Sequence, residues 1–253
     1  MDNKAIIRNF SRCAATYDNY ADVQNKAAGL LLEMTRSERP EDILEIGCGT
    51  GNYTLLLRER FKDARIRAVD ISEGMIRVAR EKIKDEKTEF VTADAQDLSL
   101  KQEFDLITSS SCFQWFRDLG SAFEKYKCSL KKGGEILFSS FGPDTFRELD
   151  FVLKSVLKKA TASCGFSDAK TLETLLDKDF KGAEITELRH QETFSCLEEL
   201  LNKIRHTGAR GRAEANGLLF SRKLLARLEE AYIGEFKEVK ATYQIFLCKA
   251  NAR

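Results

Sequence analysis

A short apolar run that ends in a glycine turn constrains the fold of this chain more than any other feature. Residues 43–52 read ILEIGCGTGN, so a buried strand over 43–46 leads into glycines at positions 47, 49 and 51, and a helical pattern follows over 53–60. Glycine permits a positive φ and lets a ligand lie against the backbone, and the first turn of the helix presents free N–H groups. The segment therefore predicts a ligand site where the first strand ends.

Strands and helices alternate after this turn. Further strands are predicted over 65–70, 89–93, 104–109 and 135–141, with helices over 73–84 and 121–130. The C-terminal part predicts helices near 144–158, 169–177, 197–206 and 218–232 and strands near 184–194 and 240–249. Alternation of this kind is typical of βαβ units. We therefore predict an α/β, Rossmann-like fold with a mostly parallel seven-stranded sheet, helices on both faces and a helical cap.

The length of 253 residues favours one domain with additions over two domains. We expect residues 1–253 to form it from four parts. These are an N-terminal helical lid over 1–36, a ligand-binding core over 43–142, helical additions and cap over 143–240, and a terminal strand over 241–250.

The composition and the first residues of the chain indicate the expected cellular location of the protein. No apolar run approaches the roughly 20 residues that a membrane helix needs, and the start MDNKAIIRNFSR lacks the apolar stretch of a secretory signal. The seven cysteines form no CxxC pair and only two histidines are present. We expect reduced thiols, no metal site, no membrane partner and a cytoplasmic location.

Acidic residues follow the next two strands. Asp70 ends the strand after the glycine turn, 19 residues beyond Gly51, and Asp94 follows the third strand. An acid at the first position can accept both ribose hydroxyls, and one at the second can accept from an adenine amino group. A dinucleotide fingerprint would place its third glycine at position 52, which is Asn52. The pattern predicts an adenosine site, and a tight turn that merely carries glycines is the alternative.

These segments resemble the class I S-adenosylmethionine-dependent methyltransferases. The similar motifs are LEIGCGTGNYT, AVDISEGMI, FVTADAQDL, FDLITSSSCFQWF and LKKGGEILFSSFGP. The resemblance implies S-adenosylmethionine as cofactor, and it implies a role for each matching residue. Glu45, Gly47 and Gly49 would surround the methionine moiety, Asp70 would hold the ribose, Ile71 and Met75 the adenine face, Asp94 and Ala95 its edge, and Ser110 would lie near the sulfonium.

Segments on either side of these motifs, and residues between them, narrow the choice of methyl acceptor. FSRCAATYDNYA over 10–21, Gln24, Gln114-Trp115, FGPDTFREL over 141–149, Gly208-Ala209 and Thr242-Tyr243 resemble the malonyl-[acyl-carrier-protein] O-methyltransferases. This resemblance implies methyl esterification of the free carboxylate of a malonyl thioester on acyl carrier protein, an early step of biotin synthesis. The Asn/Asp-Pro-Pro-Tyr loop of amino-methylating enzymes is missing, since the chain's two prolines lie at 40 and 143. A small-molecule C- or O-methyltransferase of quinone or lipid type remains the alternative.

Two residues are candidates for the chemistry itself. Tyr17 either covers the cofactor as part of a closing lid or fastens the first helix. Arg147 either binds the acceptor carboxylate bidentately or forms a surface ion pair with Asp144 or Asp150. A carboxylate with a reference pKa of about 4 is ionised at neutral pH, so the reaction requires no general base.

A basic run suggests where a carrier protein docks. Between residues 203 and 227 one acid, Glu214, accompanies seven basic residues at 203, 205, 210, 212, 222, 223 and 227. In a chain of net charge +1 such a run marks a candidate face for an acidic macromolecule, although a solvated helix face is the alternative. Phe220 is the run's one aromatic residue, so base stacking is not favoured and we expect no nucleic-acid partner.

Overall fold

The strands join into one twisted sheet. The computed structural model describes residues 3–100, 103–208 and 221–253. The strands are β1 (Asp42–Ile46), β2 (Arg65–Asp70), β3 (Thr88–Thr92), β4 (Phe104–Ser110), β5 (Leu130–Phe141), β6 (Lys181–Phe194) and β7 (Val239–Asn251). Their order is β3-β2-β1-β4-β5-β7-β6, and β7 runs antiparallel to both of its neighbours, whereas the other pairs are parallel. The predicted Rossmann-like α/β fold is confirmed.

Helices cover both faces of the sheet. They are α1 (Asn3–Cys13), α2 (Asp22–Glu33), α3 (Asn52–Arg60), α4 (Glu73–Lys82), α5 (Leu119–Cys128), α6 (Arg147–Leu157), α7 (Ala169–Asp179), α8 (Leu197–His206) and α9 (Arg222–Phe236). Short 3₁₀ turns lie at Tyr17–Asn19, Phe113–Trp115 and Ala162–Gly165. Because successive strand residues point to opposite faces, Ile43 packs with Leu31 and Leu57 on one side, while Leu44 packs with Phe123 on the other. The central strand β1 is consequently buried along its whole length.

The N-terminal segment is less regular than predicted. The apolar spacing predicts helix over 1–36, but α1 ends at Cys13 and α2 begins only at Asp22. A turn closed by the Thr16 amide on the Cys13 carbonyl leads into the 3₁₀ turn between them. Long-range contacts of that turn, described below, override the local helical preference.

Most other boundaries agree with the sequence prediction to within three residues, but two elements differ by four or more. Strand β5 begins at Leu130 rather than at 135, because Gly133 adopts a φ of +78° and the register between β4 and β5 shifts there, which lets the strand continue through the glycine pair. Helix α9 begins at Arg222 rather than 218, and residues 218–220 lie outside the described residues.

Candidate functional site

A cavity opens at the carboxyl ends of β1, β2, β3 and β4. We call it the turn cavity, because the glycine turn after β1 forms its floor; it holds about 720 Å³ of space, part of it open to solvent. Its lining includes nine residues that the sequence singled out: Tyr17, Gly47, Gly49, Asp70, Ile71, Met75, Asp94, Ala95 and Ser110. Parallel strands place their carboxyl ends at one edge of a sheet, which is why residues distant in the chain meet here.

Asp70 ties the glycine turn to the start of α4. Its Oδ2 accepts from the Gly49 amide at 2.9 Å, and its Oδ1 accepts from the Ser72 amide at 2.8 Å. The Ser72 hydroxyl in turn caps α4 by accepting from the Met75 amide at 3.3 Å. Burial raises the pKa of Asp70 to about 6, although the two amide donors favour the ionised form.

The two glycines of the turn have different environments. Both have positive φ, +71° at Gly47 and +55° at Gly49. A Cβ on Gly47 would lie 2.3 Å from the Cys112 sulfur, whereas a Cβ on Gly49 would meet nothing within 4 Å. Gly47 is therefore required by packing, and Gly49 leaves open space against the backbone, which is what a closely bound ligand needs.

Glu45 lies buried beneath this turn and does not line the turn cavity. Neither of its carboxylate oxygens has a hydrogen-bond partner in the described part of the chain. Burial raises the pKa of Glu45 to about 8. The nearby Thr54 hydroxyl lowers this pKa, whereas the negative charge of Asp70 raises it further. A buried carboxylate without a partner is costly, so a cationic group of a ligand near Gly47 would stabilise it.

The N-terminal lid covers the turn cavity. Asn3, Ile6, Phe10 and Tyr17 all contribute to its walls. The Asn3 side-chain amide donates to Asp94 Oδ2, and the Ser11 and Ser72 hydroxyls share a hydrogen bond of 2.8 Å. The described part of this segment, from Asn3 onward, thus lies against the strand ends, and Asn3 occupies one carboxylate oxygen of Asp94.

A second cavity adjoins the first. We call it the cap cavity; it holds about 750 Å³ and shares the residues Phe10, Tyr17, Ser111 and Trp115 with the turn cavity. Its other described walls come from the lid, the strand ends and the helical additions: Gln24, Gln114, Phe141, Thr145, Phe146, Leu149, Leu153, Ala160, Thr161, Ser163, Phe166, Ile204, Thr207 and Tyr243. All of these side chains are apolar or neutral and polar.

Two unpartnered polar atoms lie in the walls of the cap cavity. Gln24 Oε1 and Ser111 Oγ are buried, and neither has a hydrogen-bond partner among the described residues. Ser111 also has a φ of +56°, which is strained for a residue with a side chain. Backbone strain and a missing partner at one residue are typical of a ligand-contacting position. The sequence did not single out Ser111, because nothing in the residue type reveals its φ.

The structure does not bring Arg147 to either cavity. Its side chain is 53% exposed at the first turn of α6, and its Nε lies 3.1 Å from Glu148 Oε1. The surface ion pair is thus the alternative that the geometry favours, with Glu148 rather than Asp144 or Asp150 as partner. The cause is the buried Glu148, whose carboxylate anchors α6 by accepting from the Thr242 amide and hydroxyl of β7. That anchor fixes the rotation of the helix, so that Arg147 points outward.

Only part of the predicted basic run can be located. Arg205, Arg222, Lys223 and Arg227 are exposed, whereas Arg210, Arg212 and Glu214 lie outside the described residues. Lys203 already forms ion pairs, since its ammonium lies 2.8 Å from Glu192 and 3.3 Å from Asp22.

Among the described helices, none combines the length and apolar composition that a membrane crossing requires.

The turn cavity fits S-adenosylmethionine. Asp70 presents an acceptor at the strand end where a ribose would lie, Met75 and Ile71 offer an apolar wall, and Gly49 leaves room against the backbone. Burial keeps Glu45 beneath Gly47 largely protonated at neutral pH, and the cationic part of that cofactor would stabilise its ionised form.

Comparisons with known proteins agree with this geometry. The family model described as a methyltransferase domain matches residues 43–134. Among solved structures, the YcgJ protein from Bacillus subtilis superposes with a TM-score of 0.64 at 15% identity, covering 90% of this chain and 98% of that one. The N-methyltransferase NodS from Bradyrhizobium japonicum, in complex with S-adenosylhomocysteine, superposes with a TM-score of 0.58 at 18% identity and covers 99% of both chains. At such identities the likeness concerns the fold.

The sequence relatives are more specific. The malonyl-[acyl-carrier protein] O-methyltransferase of Acetivibrio thermocellus is 36% identical, over 96% of this chain and 92% of its own length. The malonyl-[acyl-carrier protein] O-methyltransferase 2 of Ilyobacter polytropus is also 36% identical, over 92% of this chain and 90% of its own. The resemblance found in the sequence is therefore confirmed, and the chain belongs to the malonyl-[acyl-carrier protein] O-methyltransferase family of S-adenosylmethionine-dependent enzymes.

Proposed function

We propose that this protein methylates the free carboxylate of a malonyl thioester carried by acyl carrier protein, in the cytoplasm and as an early step of biotin synthesis. The observation that carries the proposal is the junction of two cavities at Tyr17, Ser111 and Trp115. One cavity has the features of a cofactor site, and the other is walled by neutral side chains that can hold an acyl group. Membership of the family supplies the acceptor class.

The turn cavity is assigned to the methyl donor. When bound, S-adenosylmethionine supplies a sulfonium methyl group as electrophile. Asp70 would hold its ribose, Ile71 and Met75 would contact the adenine face, and Ala95 and Asp94 would meet the adenine edge once Asn3 yields its hydrogen bond. Gly47 and Gly49 would line the methionine moiety, with Glu45 below them and Ser110 nearby.

The cap cavity is assigned to the malonyl group. Tyr17, Gln24, Ser111 and Gln114 can donate neutral hydrogen bonds to a carboxylate. Burial raises the pKa of Tyr17, so its hydroxyl stays a donor at physiological pH. Neutral donors orient the carboxylate without neutralising it, and a carboxylate needs no proton removed before it attacks. The chain's contribution is then orientation and exclusion of water, worth up to roughly 7–11 kcal/mol in well-oriented systems.

One incubation tests the proposal. The purified protein is given labelled S-adenosylmethionine with malonyl-carrier protein, malonyl-coenzyme A or a quinone precursor, and methyl transfer is counted. We expect the carrier-bound thioester to be methylated fastest and the product to be a base-labile ester. Methylation of the quinone precursor alone would instead establish the C- or O-methyltransferase of quinone or lipid type.

We expect cofactor binding to depend on pH through Asp70. Its pKa of about 6 means that the carboxylate is largely ionised at pH 7 and protonated by pH 5. Ribose hydroxyls need the ionised acceptor, so affinity is retained above pH 6 and lost as pH falls through it. Calorimetry with S-adenosylhomocysteine should give roughly tenfold weaker binding at pH 5 than at pH 7.

The matched control for this pH effect is Asp70→Asn. It should bind more weakly at pH 7, with little further change between pH 7 and pH 5. A wild-type affinity that stays constant over this range would exclude Asp70 as the ribose acceptor.

The exposed basic residues provide a second test, of the partner. Arg205→Glu with Arg222→Glu should raise the KM for malonyl-carrier protein several-fold and change the KM for malonyl-coenzyme A much less. The difference should shrink at high salt, because exposed charges are screened beyond about 8–10 Å. Lys62→Glu, an exposed change in the loop before β2 and distant in the strand order from β7, against which α8 and α9 pack, serves as control. Equal losses on both thioesters would place these arginines in folding rather than docking.

A further inference from the structure

Asp18, the residue after Tyr17, lines neither cavity and instead contacts the glycine turn and the end of α4. Asp18 Oδ1 accepts from the Thr50 hydroxyl at 2.6 Å and from the Asn52 side-chain amide at 3.1 Å. Its Oδ2 lies 2.7 Å from the Lys82 ammonium at the end of α4. One lid carboxylate thus collects three donors from two elements of the core.

Two of the three donors belong to the glycine turn and its junction with α3. Thr50 and Asn52 flank Gly51, whose φ is +85°. Asn52 is held further by Lys82, which donates to its Oδ1, and it donates to Asn25 of α2 at 2.9 Å. The network therefore joins the 3₁₀ turn, the glycine turn, α4 and α2.

Geometry makes this network relevant to the reaction. Tyr17 and Asp18 are consecutive in the same 3₁₀ turn, so fixing the carboxylate of one fixes the backbone of the other. Tyr17 lines both cavities where they meet. We propose that Asp18 is a positioning residue, which clamps the lid to the glycine turn and thereby holds Tyr17 at the junction of the two cavities.

The chain contains its own reporter of this clamp. Trp115 is its one tryptophan and lines both cavities. Phe10 of the lid packs edge-on against it, with ring centroids 5.9 Å apart. If the lid loosens, Trp115 becomes more accessible to a quencher, whether or not any ligand is present.

The experiment compares the wild type with Asp18→Ala and Asp18→Asn. Asp18→Ala removes all three contacts, whereas Asp18→Asn keeps one neutral acceptor and loses the ion pair. We expect acrylamide quenching of Trp115 in the ligand-free protein to rise about twofold in Asp18→Ala, with Asp18→Asn intermediate. S-adenosylhomocysteine affinity and kcat/KM should fall about tenfold in Asp18→Ala, a moderate loss because the Asp18 side chain is 40% exposed.

Asp22→Asn is the matched control. Asp22 is also a lid acid with an ion pair, but its partner is Lys203 of α8 and its side chain is 73% exposed. Quenching and ligand affinity should stay at wild-type values in this variant. A purely structural role of Asp18 would lower the midpoint of thermal unfolding without the graded change in quenching.

Lys82→Gln tests the same clamp from the core side, in case the Asp18 variants fold poorly. It should raise the acrylamide quenching of Trp115, as the Asp18 variants do. Combined with Asp18→Asn it should add little further quenching, because both substitutions remove the same Asp18–Lys82 ion pair. Wild-type quenching in both Asp18→Ala and Lys82→Gln would overturn the proposal. The inference rests on the assignment of the turn cavity to the methyl donor; if that assignment failed, the wild type would not bind S-adenosylhomocysteine, whereas the ligand-free quenching would still report the clamp.

Discussion

Gly47→Ala is expected to destabilise the fold by about 3 kcal/mol or more. The new Cβ would lie 2.3 Å from the Cys112 sulfur and 2.5 Å from the Cys112 Cβ, and the backbone would keep a φ of +71° that alanine adopts only with strain. A change of the Cys112 rotamer cannot relieve this clash, because the Cβ of Cys112 is involved as well as its sulfur. Chemical denaturation of the purified variant measures the loss.

A double-mutant cycle identifies the clash as the cause. Cys112→Gly alone gives the baseline, and adding Gly47→Ala to it should cost only about 1 kcal/mol, the share that belongs to backbone conformation. An equal cost of Gly47→Ala in both backgrounds would show that the contact with Cys112 is unimportant.

Gly49→Ala separates binding from stability. Its φ of +55° carries the same kind of strain, but its Cβ would enter open space. We expect a stability loss of about 1 kcal/mol with at least a tenfold loss of S-adenosylhomocysteine affinity, since the methyl group would fill room that the ligand needs. Thermal unfolding with and without the ligand reads both effects in one experiment.

The residues at the floor of the turn cavity can be brought together from the sequence, because the topology of the sheet alone assembles them. Asp70 ends β2 and Asp94 closely follows the neighbouring parallel strand β3, so any chain with these strands in this order brings them together. The same argument places Gly47 and Ser110. No long-range side-chain packing is needed for any of these positions.

Positions that depend on packing between distant elements could not be predicted in this way. Arg147 follows a turn near the site, yet the direction of its side chain depends on the rotation of α6. The hydrogen bonds that Thr242 of β7 donates to Glu148, 94 residues earlier in the chain, fix that rotation. Asn3 reaches Asp94 across 91 residues, and Asp18 reaches Thr50 only because the helical segment breaks at Cys13. Periodicity describes which face of an element is apolar, but it does not describe which polar atoms of two elements meet.

Tyr17→Phe is expected to lower kcat/KM for the malonyl thioester by about 10- to 100-fold. Tyr17 is the polar residue of the lid that lines both cavities, and a hydrogen bond to a charged acceptor contributes roughly 1.5–3 kcal/mol. Ring size is unchanged, so S-adenosylhomocysteine affinity and stability should change little. Steady-state kinetics with saturating cofactor measures the loss.

Tyr20→Phe is its matched control, because Tyr20 also lies on the lid but stacks on His206 outside both cavities, with centroids 4.4 Å apart. Its kcat/KM should stay near the wild-type value.

The pH profile then separates the possible roles of the Tyr17 hydroxyl. Burial raises the pKa of Tyr17, so as a donor to an ionised carboxylate it gives a kcat that is flat between pH 7 and 9 in the wild type and lower but equally flat in Tyr17→Phe. A wild-type kcat that rises steeply over this range, with the rise abolished in Tyr17→Phe, would mean that the hydroxyl removes a proton. The acceptor would then be a hydroxyl or carbon acid rather than a carboxylate.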